Sequence, residues 1–267
     1  MELVVSRIRS TPAGTPVEIV ERKGRGHPDT ICDLLAERAS VALCRAYRER
    51  FGAILHHNVD KALLRAGASR PAFGGGEVTA PIEIYLAGRA TQEAGGAALK
   101  VGDVVAEACA AALRETLHAL DPARHVRLEP LLRPGSTELR ALYERPGARW
   151  LANDTSIGVG FAPASELERI VLAVSERLEG QGGSHPEVGE DVKVMGVRSA
   201  DGIHLTVACA FVDRHVRSAD DYVEKQARVA ELARTTARAL GARDVDVVVN
   251  AADDVERGQL YLTVTGT

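Results

Sequence analysis

Val17-Glu18-Ile19-Val20-Glu21-Arg22-Lys23-Gly24-Arg25-Gly26-His27-Pro28-Asp29-Thr30-Ile31-Cys32-Asp33 changes its periodicity halfway along, and that change decides the fold. Up to Glu21 the residues alternate, with Val17 and Ile19 on one face and Glu18 and Val20 on the other, which reads as a strand. From Thr30 onward Ile31, Leu35, Ala39, Leu43 and Ala46 recur at helical spacing and form one apolar face. Thr30 is the expected helix cap, with Asp33 three residues later completing a capping box. Between the two runs lies a short basic turn holding two glycines. The chain therefore opens as strand, glycine-bearing turn, helix.

Outward from that unit, strands are predicted at Met1–Ser10, Ala53–Asn58, Ile82–Gly88, His125–Leu131, Asp191–Val197, Ile203–Val212, Asp244–Val249 and Leu260–Thr265. Helices are predicted at Gly102–Leu120, Glu166–Glu179 and Ala219–Leu240, with Ser165/Glu168 and Ser218/Asp221 as capping boxes and Gly241 closing the last. Strands outnumber helices and often come in neighbouring pairs. The expected class is α+β, lobes of mostly antiparallel sheet with helices packed on one face. The expected division is a first lobe over 1–124 and a second over 125–267.

Composition removes several functional classes. The 267 residues carry a formal net charge of -4, which argues against a general nucleic-acid or acidic-membrane binder. Aromatic residues are 4% of the chain, too few to build stacking platforms for single strands. No apolar run approaches the length of a membrane span and no secretory leader is evident, so the expected location is the cytoplasm. Cys32, Cys44, Cys109 and Cys209 lack metal-finger spacing and read as reduced thiols. An anionic ligand would need local cations or a metal.

Four segments could supply them. In the basic turn, Gly24 and Gly26 allow close backbone approach and an anion nest, while Lys23 and Arg25 bring positive charge. His27 can donate to a phosphate or leaving-group oxygen, and Asp29 offers a hard oxygen suited to Mg²⁺. The same residues also suit a plain turn before a helix. Gly74-Gly75-Gly76-Glu77 pairs a flexible backbone with a carboxylate able to bind an ammonium or hydroxyl group, or it is simply a hairpin loop. Ala152–Phe161 folds small and polar residues around Asp154, or makes an ordinary Asx-turn. Asp191 and Lys193 share one strand face and could meet a phosphate, or form a surface ion pair. His56 and His57 point to opposite faces and are read as structural.

Taken in order, VEIVERKGRGHPDTICD, ILHHNVD, FGGGEV, RPGS, LANDTSIGVGFAP, VGEDVKVMG, VNAADD and YLTVTGT resemble the archaeal-type S-adenosylmethionine synthetases. The match runs from Val17 to the C-terminus. Two departures, Arg25 for a common aliphatic residue and Val59 for a common threonine, miss the matched catalytic positions. The resemblance implies attack by the sulfur of L-methionine on C5′ of ATP, with release and hydrolysis of the triphosphate. It implies His27, Lys193 and Asp154 as catalytic residues, and Lys23, Gly24, Gly26, His27, Asp191 and Lys193 as the phosphate-binding set. It further implies Glu77 and Asp154 as methionine-positioning residues, Asp29 and Glu21 as metal carboxylates, and Mg²⁺ with K⁺ as cofactors. The family fold has three similar lobes, and the implied partner is a second copy, with sites at the subunit interface. Family members continue beyond Thr267 into a third lobe. The expectation is therefore weak or no activity from this chain alone, and the alternative is a noncatalytic partner subunit of a complete synthetase.

Overall fold

The computed structural model describes Val4 and residues 14–136, 160–179 and 185–267. Apart from Val4, the strand expected over Met1–Ser10 lies outside them. Strand β1, Glu18–Lys23, is followed by helix α1, Pro28–Phe51. The helix starts two residues earlier than Thr30, because Pro28 occupies its first turn and His27, not Thr30, accepts the Asp29 amide as N-cap. Its buried stripe is Ile31, Leu35, Ala39, Leu43 and Tyr47, and Gly52 ends it in the left-handed conformation at φ 76°.

That stripe packs on the first sheet. The sheet has the order β2 (His57–Arg65), β5 (Ile82–Ala90), β8 (Val126–Arg133). The strand expected at Ala53–Asn58 therefore begins only at His57, since the chain must first leave the Gly52 cap. β2 runs antiparallel to β5. β8 runs parallel to β5, after helix α2 (Val101–Thr116) and the single turn α3 (Pro122–His125). Ile84, Leu86 and Leu132 from the sheet meet α1 and α2 in one core. Two small hairpins, β3 (Ala68–Arg70) with β4 (Glu77–Ala80) and β6 (Glu93–Ala94) with β7 (Ala97–Ala98), stand outside it.

The second sheet has the order β1, β9 (Val188–Ser199), β10 (Gly202–Val212), β11 (Val245–Val249), with β12 (Leu262–Thr263) also on β10. Its core face carries Val192, Val194, Leu205, Val207 and Phe211 under helices α4 (Glu166–Glu179) and α5 (Ala219–Ala239). Ser165 and Glu168 cap α4 reciprocally. Ser218 caps α5, but Asp221 reaches back to the Arg217 amide instead of that of Ser218. Asn250, one of the few residues bent to positive φ, accepts the Cys209 amide and donates to its carbonyl. The mostly antiparallel α+β class is the observed one.

The sheets do not follow the expected division at residue 124. β1 precedes it yet pairs with β9 of the second sheet, and β8 follows it yet pairs with β5 of the first. The β1–α1 unit thus joins both cores, because its strand and its helix belong to different ones.

A second joint is His118, past the end of α2. Its Nδ1 lies 2.7 Å from the buried Glu190 carboxylate on β9 and its Nε2 lies 2.9 Å from the Pro186 carbonyl. Both ring nitrogens face acceptors, so the imidazolium is favoured. The Glu190 hydrogen bond raises the His118 pKa against the opposing effect of burial. A pKa raised on folding contributes stability that is complete below the ordinary imidazole range and is lost as pH rises through the folded value. Urea unfolding from about pH 6 to about pH 9 should show a larger loss of stability for the native chain than for His118→Gln. Parallel profiles would contradict the assignment.

Candidate functional site

The turn between β1 and α1 is pressed onto β9. Gly24 donates its amide to the Val192 carbonyl at 2.6 Å, and Gly26 donates to the Glu190 carbonyl at 2.9 Å. A Cβ on residue 24 would lie 2.8 Å from both carbonyl oxygens, and one on residue 26 would lie 2.4 Å from the Glu190 carbonyl carbon. The glycines are required for close approach, as the sequence suggests, but the surface approached is β9. The anion nest expected from these amides is therefore not formed by Gly24 and Gly26, whose donors are spent. Arg25 is also engaged elsewhere: its guanidinium bonds the Glu179 carboxylate at 3.1 Å and the Glu179 carbonyl at 3.0 Å, at the end of α4. Its charge steadies that helix terminus.

What the clamp achieves is a meeting of charges. Lys23 stands opposite Lys193 in the β1–β9 register, so the two ammonium stems share the sheet face turned away from α4 and α5. Lys23 Nζ lies 2.5 Å from Asp29 Oδ2, and Lys193 Nζ lies 3.0 Å from Glu21 Oε2. The hydrogen bond to Lys23 holds the Asp29 carboxyl below its usual range, and the same bond raises Lys23. Asp191 lies on this face too, where Tyr261 donates its hydroxyl at 2.9 Å. Burial pushes the Asp191 carboxyl up. Two cations and three carboxylates thus gather at one end of a sheet face that carries no helix among the described residues, beside His27.

His27 is set by its cap. Its Nδ1 accepts the Asp29 amide at 3.2 Å, so in the neutral ring Nε2 carries the proton. The imidazole is therefore oriented as a donor away from the helix. Asp29 and Glu21 supply hard oxygens, and among the described residues no three His, Cys, Asp or Glu side chains gather to hold a metal alone. That donor set fits Mg²⁺, which commonly takes one or two carboxylates and completes its shell with water and phosphate oxygens.

Glu77 begins β4 on the exposed hairpin, where Arg70 lies 3.1 Å from its carboxylate. The glycine loop before it is fixed to the far core. Asp213 Oδ2 accepts the amides of Ala72 at 3.2 Å and Gly76 at 2.8 Å, and Gly74 donates to the Val216 carbonyl at 2.8 Å. The only sequence signal for Asp213 is a carboxylate ending the apolar run Cys209–Val212. Nothing in the spacing ties it to residues 72–76. Tyr261 is a second residue missed, since an aromatic near the chain end reads as core. Asp154 lies outside the described residues, and His57 is placed structurally, with Nε2 3.0 Å from Ser40 Oγ.

Comparison with known proteins bears on this arrangement. The family model described as S-adenosylmethionine synthetase (AdoMet synthetase) matches residues 2–267. A probable S-adenosylmethionine synthase of Aquifex aeolicus is 51% identical over 255 residues, covering 94% of this chain and 64% of that protein. The S-adenosylmethionine synthase of Methanothrix thermoacetophila is 45% identical over 252 residues, again 94% of this chain and 63% of its own length. The chain thus spans a little under two thirds of these relatives. In fold it resembles an unusual S-adenosylmethionine synthetase from Campylobacter jejuni, with a TM-score of 0.53 at 12% identity, over 89% of this chain and 59% of that one.

The capping geometry has a direct consequence. His27→Ala should lower stability by about 1 kcal/mol through loss of the N-cap, and His27→Asn should recover most of it. Chemical denaturation of the two variants checks this, and equal losses would contradict the capping role.

Proposed function

The chain belongs to the S-adenosylmethionine synthetase family, and from that premise we propose that it binds the triphosphate of ATP for displacement by the sulfur of L-methionine. The reading makes it a methionine adenosyltransferase subunit in which the triphosphate is then hydrolysed to phosphate and diphosphate. The observation that carries it is the convergence of Lys23, His27 and Asp29 from the β1–α1 turn with Glu21, Asp191 and Lys193 on one open sheet face. A leaving triphosphate concentrates negative charge, and stabilising it requires fixed donors and cations where that charge develops.

In this reading each side chain has a task. Lys23 and Lys193 exchange their carboxylate partners for phosphate oxygens. His27 donates its Nε2 proton in a hydrogen bond to the departing oxygen. Asp29 and Glu21 would hold Mg²⁺ once their lysine partners turn to phosphate, and the ion would supply charge neutralisation on the triphosphate. Asp191, held by Tyr261, borders the phosphate site. Glu77 and Asp154 hold the methionine, placing sulfur near the carbon and so supplying the proximity contribution. Gly24 and Gly26 serve the phosphate site indirectly, by seating the turn.

Exposed apolar residues on the two sheets support a second copy of the chain as partner. Leu63 and Leu131 are 61% and 52% exposed on the first sheet, and Ile19 is 65% exposed beside the site. Covering them would also exclude water from the reacting groups. A cytoplasmic location suits this chemistry. The four cysteines are free, and among the described residues no helix is long and apolar enough to cross a membrane.

Titration calorimetry with Mg²⁺-tripolyphosphate tests the reading. The native chain should bind it, and the Lys23→Ala, Lys193→Ala double variant should bind at least about tenfold more weakly. In an isotopic assay, whatever phosphate the chain releases from ATP should depend on methionine. ATP turnover indifferent to methionine, or unchanged polyphosphate affinity in the double variant, would contradict it.

A further inference from the structure

The β3–β4 hairpin is exposed along its length and forms a sheet of two strands, an arrangement with little stability of its own. Both its ends are nevertheless fixed. At the base, Gly67, Ser69, Val78 and Ala80 line a cavity of about 150 Å³ with Pro28 and Thr267, next to the phosphate turn. At the tip, the loop of residues 71–76 meets the short helical turn Asp213–His215 that follows β10. Asp213 is 1% exposed there, and a single oxygen, Oδ2, receives both the Ala72 and the Gly76 amides. Gly74 and Gly75 adopt φ of 85° and 121°, the left-handed region that favours glycine. A Cβ on residue 76 would lie 2.0 Å from the Arg70 carbonyl oxygen.

Burying a carboxylate is unfavourable unless hydrogen bonds to it compensate. Here the compensation comes from the loop that immediately precedes Glu77. Releasing those amides would leave the loop held at Gly74 but loosen its flanks and move the Glu77 backbone, since Gly76 is its direct neighbour. The hairpin base would stay anchored where Ala68 pairs with Ala80 beside the Arg65–Glu83 pair of β2 and β5, so the phosphate turn would be undisturbed.

We propose that Asp213 is a positioning residue for methionine, holding residues 72–76 so that Glu77 presents its carboxylate to the substrate ammonium. The inference rests on the assignment of Glu77 to methionine. It assigns Asp213 the role of an acceptor of two amides and gives its charge no contact with substrate.

The test is calorimetric titration of L-methionine into protein saturated with Mg²⁺-tripolyphosphate. Asp213→Ala should weaken methionine binding by about ten- to a hundredfold, as expected for a misplaced binding group, and leave tripolyphosphate affinity within about twofold. Asp213→Asn should stay near native, because one amide oxygen can accept both N–H groups. Should Asp213→Ala fail to fold, Asp213→Glu serves instead: it keeps the charge, displaces the oxygen, and should weaken methionine binding. A folded Asp213→Ala, or Asp213→Glu in its place, with native methionine affinity would overturn the proposal, as would Asp213→Asn as weak as Asp213→Ala. Glu77→Gln separates the two levels. Native methionine affinity in that variant, or a native chain that takes tripolyphosphate but no methionine, overturns the functional reading itself.

Discussion

Two backbone hydrogen bonds, from Gly24 to Val192 and from Gly26 to Glu190, hold the rest of the structure in register. They fasten the turn that leaves the second sheet to the strand beside it and aim α1 toward the first. β1 is an edge strand of one core and α1 is the buried helix of the other, so any slack in the turn would separate the cores as well as the site residues. Glycine at both positions follows from steric distance, since the β9 backbone occupies the space a side chain would need. Thr267 reinforces the seat by donating its hydroxyl to the Gly26 carbonyl at 2.5 Å. His118 and Glu190 tie the same stretch of β9 to the end of α2.

The electrostatics of the site follow from that seat. An acidic chain needs its cations concentrated, and the β1–β9 register places Lys23 opposite Lys193 without needing a basic surface around them. Each ammonium rests on a carboxylate, Lys23 on Asp29 and Lys193 on Glu21. These four groups are part-exposed, so the pairs are weak and exchangeable. In the function proposed above, a polyphosphate with its metal would offer both halves better partners at once, the anion for the lysines and the cation for the carboxylates. The more buried groups, Asp191 under Tyr261 and Asp213 under the glycine loop, accept hydrogen bonds from uncharged donors instead of pairing with cations.

Local patterns were readable in the sequence and long-range partnerships were not. The strand–turn–helix at Val17–Asp33, helix α4 to the residue, and the pairing of β9 with β10 all rest on periodicity and capping chemistry within a few residues. The shared face of Asp191 and Lys193 likewise follows from strand alternation. Sheet membership was opaque, because nothing in β1 distinguishes a partner 170 residues away from a nearer one. The same distance hid Asp213, whose partners are 137 and 141 residues upstream. The glycines misled in an instructive way: their need for close approach was legible, but the surface approached was the protein's own backbone. Arg25 read as a ligand cation because sequence cannot show that Glu179 reaches it first.

The seat of the turn can be tested by adding one methyl group. In Gly26→Ala the new Cβ would meet the Glu190 carbonyl carbon at 2.4 Å and the Asp191 amide nitrogen at 2.5 Å, so turn and strand must part. Calorimetric affinity for Mg²⁺-tripolyphosphate, measured beside unfolding free energy, is the direct readout. Both should fall together, the stability by about 1–3 kcal/mol as for an overpacked core site. A Gly26→Ala protein with native stability and native polyphosphate affinity would contradict the account.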